Sequence, residues 1–226
     1  MFTYLNDWFP VFLSLRVAVI ALVIVTLAGL PLSRLMARRE FYGKEFIEAA
    51  ITLPLVLPPS VIGYGLLMLI GKNGLLGSLL SQMGIQILFT WWAAVLASTV
   101  VALPLMYQSA RAAFESVDVN FEKAARTLGA GELRVFCTIT LPLAWPGIMA
   151  GLVLSFARAL GEFGATLMVA GNIPGQTQTI PLAIYFAVDA GDNATAKTLV
   201  AIITVFSFIV IFLVNRWSRR RNIRLR

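Results

Sequence analysis

Histidine is missing from this 226-residue chain, cysteine occurs once, and 13% of the residues are charged. The first absence excludes imidazole general-base chemistry and most zinc and haem ligation. The second excludes an internal disulfide framework and a multi-thiolate metal site, and Cys137 reads as a small packed residue. The third excludes an ordinary soluble domain, in which about a quarter of the residues carry charge. No metal-ligating or catalytic set remains, so the chain is expected to work without a cofactor of its own. Against these absences stand 59% apolar residues and a net charge of +7. That balance describes an integral membrane protein.

A membrane-crossing helix needs about 20 mostly apolar residues. Five windows supply them, at 11–33, 47–70, 91–113, 143–169 and 195–217. The runs are continuously apolar rather than alternating, which predicts helices and not a barrel. The expected fold is therefore an all-α membrane domain over 1–226 with about five transmembrane helices. The opening residues MFTYLNDWFP lack the basic stretch and small-residue cleavage site of a removable signal peptide.

The cations label the two sides. Arg34, Arg38, Arg39 and Lys44 follow the first span, Arg111, Lys123, Arg126 and Arg134 the third, and Arg216, Arg219, Arg220, Arg221, Arg224 and Arg226 the fifth. The other side holds Lys72 and Lys197, and Arg16 and Arg158 fall inside spans. The positive-inside rule places the basic segments in the cytoplasm, with the N-terminus outside and the C-terminus inside. Trp8, Trp91 and Trp92 then lie at the outer interface and Trp145 and Trp217 at the inner one, as an aromatic belt requires. The basic surplus is thus a topology label and not a nucleic-acid footprint. The tail RWSRRRNIRLR is placed against anionic headgroups, and Arg16 is expected to snorkel to the outer ones.

One link is too structured to be a bare connection: 114–142, FESVDVNFEKAARTLGAGELRVFCTITLP. Cap-type residues Ser116, Asp118 and Asn120 precede a helical stretch, Phe121–Leu128, which Gly129 can end in a left-handed conformation. A second short helix, Glu132–Thr138, is expected next, and Pro142 opens the following span. Ala124, Ala125 and Leu128 form a small apolar face, rimmed by Glu122, Lys123 and Arg126. Such a knob suits a partner's groove.

This segment resembles the cytoplasmic signature of bacterial ABC importer permeases, written E-A-A, three residues, Gly, nine residues, Ile, one residue, Leu-Pro. Here Lys123-Ala124-Ala125 precede Gly129, and Ile139-Thr140-Leu141-Pro142 close the motif. Lys123 replaces the acid, with Glu122 beside it. Within that family, the blocks LPLVLPPSVIGYGLL, ARTLGAGELRVFCTITLPL and ARALGEFGATLMVAGNIPGQTQTIP look most like molybdate permeases and next most like sulfate permeases. The resemblance implies a type I ABC importer permease fold in the bacterial inner membrane. It implies that 114–142 carries the coupling helix, with Glu122, Lys123, Ala124, Ala125, Leu128, Gly129, Ile139, Leu141 and Pro142 serving ATPase coupling. The implied partners are a second copy of the chain, a cytoplasmic ABC ATPase dimer where ATP and magnesium act, and an extracytoplasmic oxyanion-binding protein. Molybdate, tungstate and sulfate stay open as the oxyanion.

Arg158 and Glu162 stand four apart on span four and can face one another. A lone arginine at the bilayer centre costs roughly 2.5–3.5 kcal/mol on insertion scales, so a pair or a watery cavity must compensate. Two readings fit: a pathway or gate element that attracts an oxyanion, and an ion pair that locks packing. Pro54, Pro58 and Pro59 interrupt span two, as lining of a route or as a kink that serves packing. Pro58 and Pro59 join the pathway candidates. Ser60, Gly63 and Gly65 allow close helix approach, and Pro104 in span three shares the prolines' two readings. The 171–181 segment, GNIPGQTQTIP, is too polar to span; Gln176, Thr177, Gln178 and Thr179 read as donors for an oxyanion, as a contact for a delivery protein, or as an ordinary solvated loop. The 71–90 link is expected to lie along the interface.

The chain has no G-x-x-x-x-G-K-[ST] phosphate loop and cannot hydrolyse ATP alone. A stand-alone channel or ion-coupled carrier is the reading from another class, and it wants buried acids. Glu162 is the clear intramembrane acid, with Arg158 beside it. An intramembrane enzyme lacks a nucleophile–base pair at depth.

Overall fold

Inside a bilayer the backbone must satisfy its own hydrogen bonds, and the apolar windows do so as helices. The computed structural model describes residues 8–222, and every regular element among them is helical. In order these are α1 (Phe9–Arg38), α2 (Lys44–Thr52), α3 (Pro59–Ile70), α4 (Leu75–Gln82), α5 (Trp91–Glu115), α6 (Val119–Thr127), α7 (Glu132–Val135), α8 (Leu141–Leu160), α9 (Gly164–Ala170), α10 (Ile180–Asp189) and α11 (Asn193–Asn222). A 3₁₀ turn at Leu53–Leu55 extends α2, and a π-helical turn at Phe136–Thr140 joins α7 to α8. Arg224 and Arg226 of the basic tail lie outside the described residues.

Among the described residues, four stretches are long and apolar enough to cross a membrane: Phe9–Arg38, Trp91–Glu115, Glu132–Leu160 and Asn193–Leu213. The bent pair Lys44–Leu55 and Pro59–Ile70 supplies a fifth if counted as one span.

The core is α1, α5 and α8, packed through small residues. Lipid tails are as apolar as leucine, so helices associate here through close backbone approach and interhelical hydrogen bonds. A Cβ on Gly151 would sit 2.9 Å from the Ser109 Cβ, and one on Gly147 2.6 Å from the Ala113 Cβ, so α8 lies flush on α5. Ser155 Oγ donates to the Ala102 carbonyl (3.2 Å) and Ser98 Oγ to that of Ala159 (3.3 Å). Between α1 and α5, Ser33 Oγ donates to the Tyr107 carbonyl at 3.1 Å.

Several expectations change in detail. Span two does not cross straight: its two halves meet at 114°, because Pro58 and Pro59 withhold the amide donors that would continue the helix. Span four ends at Leu160 and resumes as α9 after Gly161–Phe163. At its other end Pro142 lies in the first turn of α8, as expected, and the wider π turn, with the Leu141 amide donating to the Phe136 carbonyl, joins that turn to α7 so that helix continues from Glu132 to Leu160. Pro104 sits buried inside continuous α5.

The 171–181 segment is solvated only in part, with Pro174, Gly175 and Gln176 exposed. Thr177, Gln178 and Thr179 are buried; Thr177 Oγ1 donates to the Gly171 carbonyl and accepts from the Ile173 amide. The Ile180 amide then donates to Ser14 Oγ of α1 at 2.7 Å. Arg16 is exposed and stacks over the Trp91 ring at 3.9 Å, a cation–π contact. The starts of α1 and α5 and the turn before α11 share one end of the bundle, and Arg38, Lys44, Arg111 and α6 share the other, here termed the basic end.

Candidate functional site

At the basic end the chain builds a projecting knob from α6 and α7. The Asp118 carboxylate accepts the Asn120 amide at 2.8 Å and caps α6. The far end closes in a Schellman arrangement: the Ala130 amide donates to the Ala125 carbonyl (3.0 Å) and the Gly129 amide to that of Arg126 (2.9 Å). That geometry requires the left-handed Gly129, φ +83°. The helix is Val119–Thr127, with Asp118 rather than Ser116 as its cap.

Its faces differ from those read off the spacing. Phe121, Ala124 and Leu128, at i, i+3 and i+7, point away from the bundle, and Leu128 is 88% exposed. Lys123 is exposed beside them, Ala125 is half-buried, and Leu133 of α7 is exposed nearby. Ile139 and Leu141 are half-buried in the π turn and the first turn of α8, next to Pro142. Pro142 itself is exposed.

Glu122 is the largest correction. It does not rim the apolar face; it points inward and is 4% exposed. Its Oε1 takes Arg38 Nη2 of α1 at 2.9 Å and the Thr140 hydroxyl of the π turn at 2.8 Å. Its Oε2 lies 3.4 Å from Arg126 Nη2. Arg38 also donates to the Val117 carbonyl at 3.1 Å, just before α6. Arg126 continues outward to Glu132 at 2.5 Å, and that hydrogen bond holds its guanidinium more firmly protonated than usual. Arg34 stacks on the Phe136 ring at 3.9 Å. Arg38 reads in sequence as a topology marker and Thr140 as a spacer within a motif, so neither was legible as a partner of Glu122.

The second candidate region lies where the two broken spans meet. Arg158 Nη1 pairs with Glu162 Oε2 at 2.8 Å; the carboxylate side chain is 1% exposed and the arginine's 31%. Glu162 Oε1 accepts the Ala165 amide at 2.8 Å and so caps α9. A Cβ on Gly164 would lie 2.8 Å from the Pro59 ring, and one on Gly63 2.7 Å from the Met168 Cβ. Glycine therefore lets the kink of span two nest against the break in span four. Gly65 faces open space and takes no part. The structure thus brings Pro59 beside the residues that follow Glu162, while Pro58 forms the exposed corner. Among the described residues no group of His, Cys, Asp and Glu could hold a metal ion, and Cys137 is exposed rather than packed.

The family described as "Binding-protein-dependent transport system inner membrane component" matches residues 29–224. The molybdenum transport system permease protein ModB of Escherichia coli K12 is 45% identical over 215 residues, 95% of this chain and 94% of that one. The protein of the same name from Haemophilus influenzae is 46% identical over 210 residues, 92% of each chain. An inward-facing structure of the MetNI methionine ABC transporter superposes with a TM-score of 0.73 over 93% of this chain and 94% of that one, at 17% identity. That last likeness concerns the fold.

Proposed function

The chain belongs to the family of binding-protein-dependent transport system inner membrane components, and on that premise we propose that it is the permease subunit of an ATP-driven importer that carries molybdate across the bacterial cytoplasmic membrane by alternating access. The observation that carries the substrate is identity of 45% and 46% to two proteins named for molybdenum transport, sustained over at least 92% of this chain.

Two copies pair around a shared path, each resting on one subunit of an ABC ATPase dimer, where ATP and magnesium act. A binding protein outside delivers the oxyanion. The basic end faces the cytoplasm, in keeping with its cations. The stripe Phe121–Ala124–Leu128, flanked by Lys123, enters the ATPase cleft as a short helix in a groove. Gly129 lets the chain turn back at the tip, and Ala125, Ile139, Leu141 and Pro142 support the helix from below. Closure of the ATPases on ATP draws the two knobs together, and the different affinity of the two states for ATP supplies the work. The chain catalyses nothing itself. Arg158 and Glu162, with Pro58 and Pro59, hold the bend of the gate; the carboxylate neutralises the guanidinium and leaves it a clamp instead of an anion ligand.

The reconstituted complex with its own binding protein tests this reading. Molybdate should raise ATP hydrolysis and accumulate in vesicles, and sulfate should do neither. Stimulation by sulfate alone would make the molybdate assignment wrong.

A further inference from the structure

Glu122 is the single buried residue of α6. Phe121 and Ala124 of that helix are exposed, and the knob's buried apolar residues are Val117 at its entry and Val135 of α7. Within α6 itself the fastening is a carboxylate. One oxygen of Glu122 receives α1 through Arg38 and the π turn through Thr140, and the other lies against Arg126 of the same helix. Arg38 reaches past the carboxylate to the Val117 carbonyl, which holds the entry to α6 as well. Three elements of the basic end therefore converge on one side chain.

We propose that Glu122 is the positioning residue that transmits displacement of the knob to the spans, a latch through which α6 drives α1 and α8 as one body. The proposal rests on the coupling role given to the knob above and moves Glu122 from the docking face to the linkage behind it. A buried carboxylate between a guanidinium and a hydroxyl is stiff, because separating it from either partner leaves charge or a polar group stranded. An apolar contact of the same size could slide. Thr140 sits in the π turn directly ahead of α8, so force on Glu122 enters the long helix at its first turn. Arg38 ends α1, so the same force enters the other core helix at its last.

The test is uptake per ATP hydrolysed in the complete reconstituted complex with its binding protein. Glu122→Gln keeps the side chain's shape and removes its charge. Uptake per ATP should fall about tenfold, toward the lower end of the usual range for coupling between sites, while stimulated ATP hydrolysis persists. Thr140→Val removes the hydroxyl alone and should lower the same ratio severalfold. Arg38→Met should add little to Glu122→Gln, because both act through one contact. Uptake and hydrolysis falling in parallel at constant ratio would mean that Glu122 merely holds the fold, and would overturn the proposal. If Glu122→Gln does not assemble, Thr140→Val decides, and an unchanged ratio there overturns it equally. A wild-type complex that ignores molybdate would instead sink the substrate reading. The latch is then measured with whichever oxyanion does stimulate hydrolysis.

Discussion

Glu122 and Glu162 are the buried carboxylates among the described residues, and each pairs with an arginine four positions away in sequence. Their remaining partners differ. Glu162 takes the Ala165 amide three residues on, so all its polar contacts lie within one bend of the chain. Glu122 takes Arg38 from 84 residues away and Thr140 from 18 residues on. A carboxylate with local partners sets the shape of one element. A carboxylate with distant partners makes several elements move together. The first holds the broken span at the junction with Pro59; the second ties the knob to the bundle.

The surroundings repeat this contrast. At the junction, glycines at 63 and 164 allow backbone-to-backbone packing that needs no charge. At the knob, α6 keeps Phe121 and Ala124 exposed and turns the Glu122 carboxylate to the body. The knob is held there by a charged contact between distant segments. The junction is a fitted surface, sensitive to volume.

Three substitutions or conditions would break or sharpen the comparison. The largest effect is expected from Gly129→Asp. A side chain at φ +83° is strained, by about 1–2 kcal/mol for most residues, and the new charge sits beside the docking stripe. Uptake should vanish while the protein still inserts in the membrane, which immunodetection in washed membranes would check. Normal substrate-stimulated ATP hydrolysis in that variant would show that the tip of the knob is not a coupling element.

Next comes Glu162→Gln. Losing a buried charge beside Arg158 should lower the melting temperature in detergent, and a mutation that breaks a buried pair costs about 3–5 kcal/mol. Uptake and hydrolysis should fall together, with their ratio kept. A changed ratio would erase the distinction between the two carboxylates.

The smallest effect concerns acid. Hydrogen bonds from the Thr195 hydroxyl and amide hold the Asp192 carboxyl below the usual carboxylate range, at the entry to α11. Its folded pKa is depressed, so its contribution is complete above the unfolded value of about 4 and is lost as pH falls through the lower folded value. Amide exchange in the first turn of α11 should rise across that window, while exchange at the knob helix follows a different course. Unchanged exchange in that turn would show that the cap contributes nothing there.

Much of the fold was legible in the residues because its causes are local. Apolar runs locate the spans, Pro58 and Pro59 announce the bend, and Gly129 marks the turn of the knob. What stayed hidden depended on neighbours distant in sequence. A nine-residue helix such as α6 has several possible inward faces, and the arrival of Arg38 decides between them. Phe121 then points out and Glu122 in, where spacing alone favoured Ala125 for the outer face. The polar run at 177–179 looked solvated because its cover is Ser14 of α1 and the fold around it. The break at Gly161 had no proline to signal it; a carboxylate that caps the next helix makes it possible. The π turn at Phe136–Thr140 inserts a wider turn that no residue pattern marks.

The most direct test of the account is uptake per ATP hydrolysed in vesicles, measured side by side for wild type, Glu122→Gln and Glu162→Gln. The ratio should drop about tenfold in Glu122→Gln, within the range of inter-site coupling energies, and hold in Glu162→Gln. A preserved ratio in Glu122→Gln, with hydrolysis and uptake falling together, would contradict it.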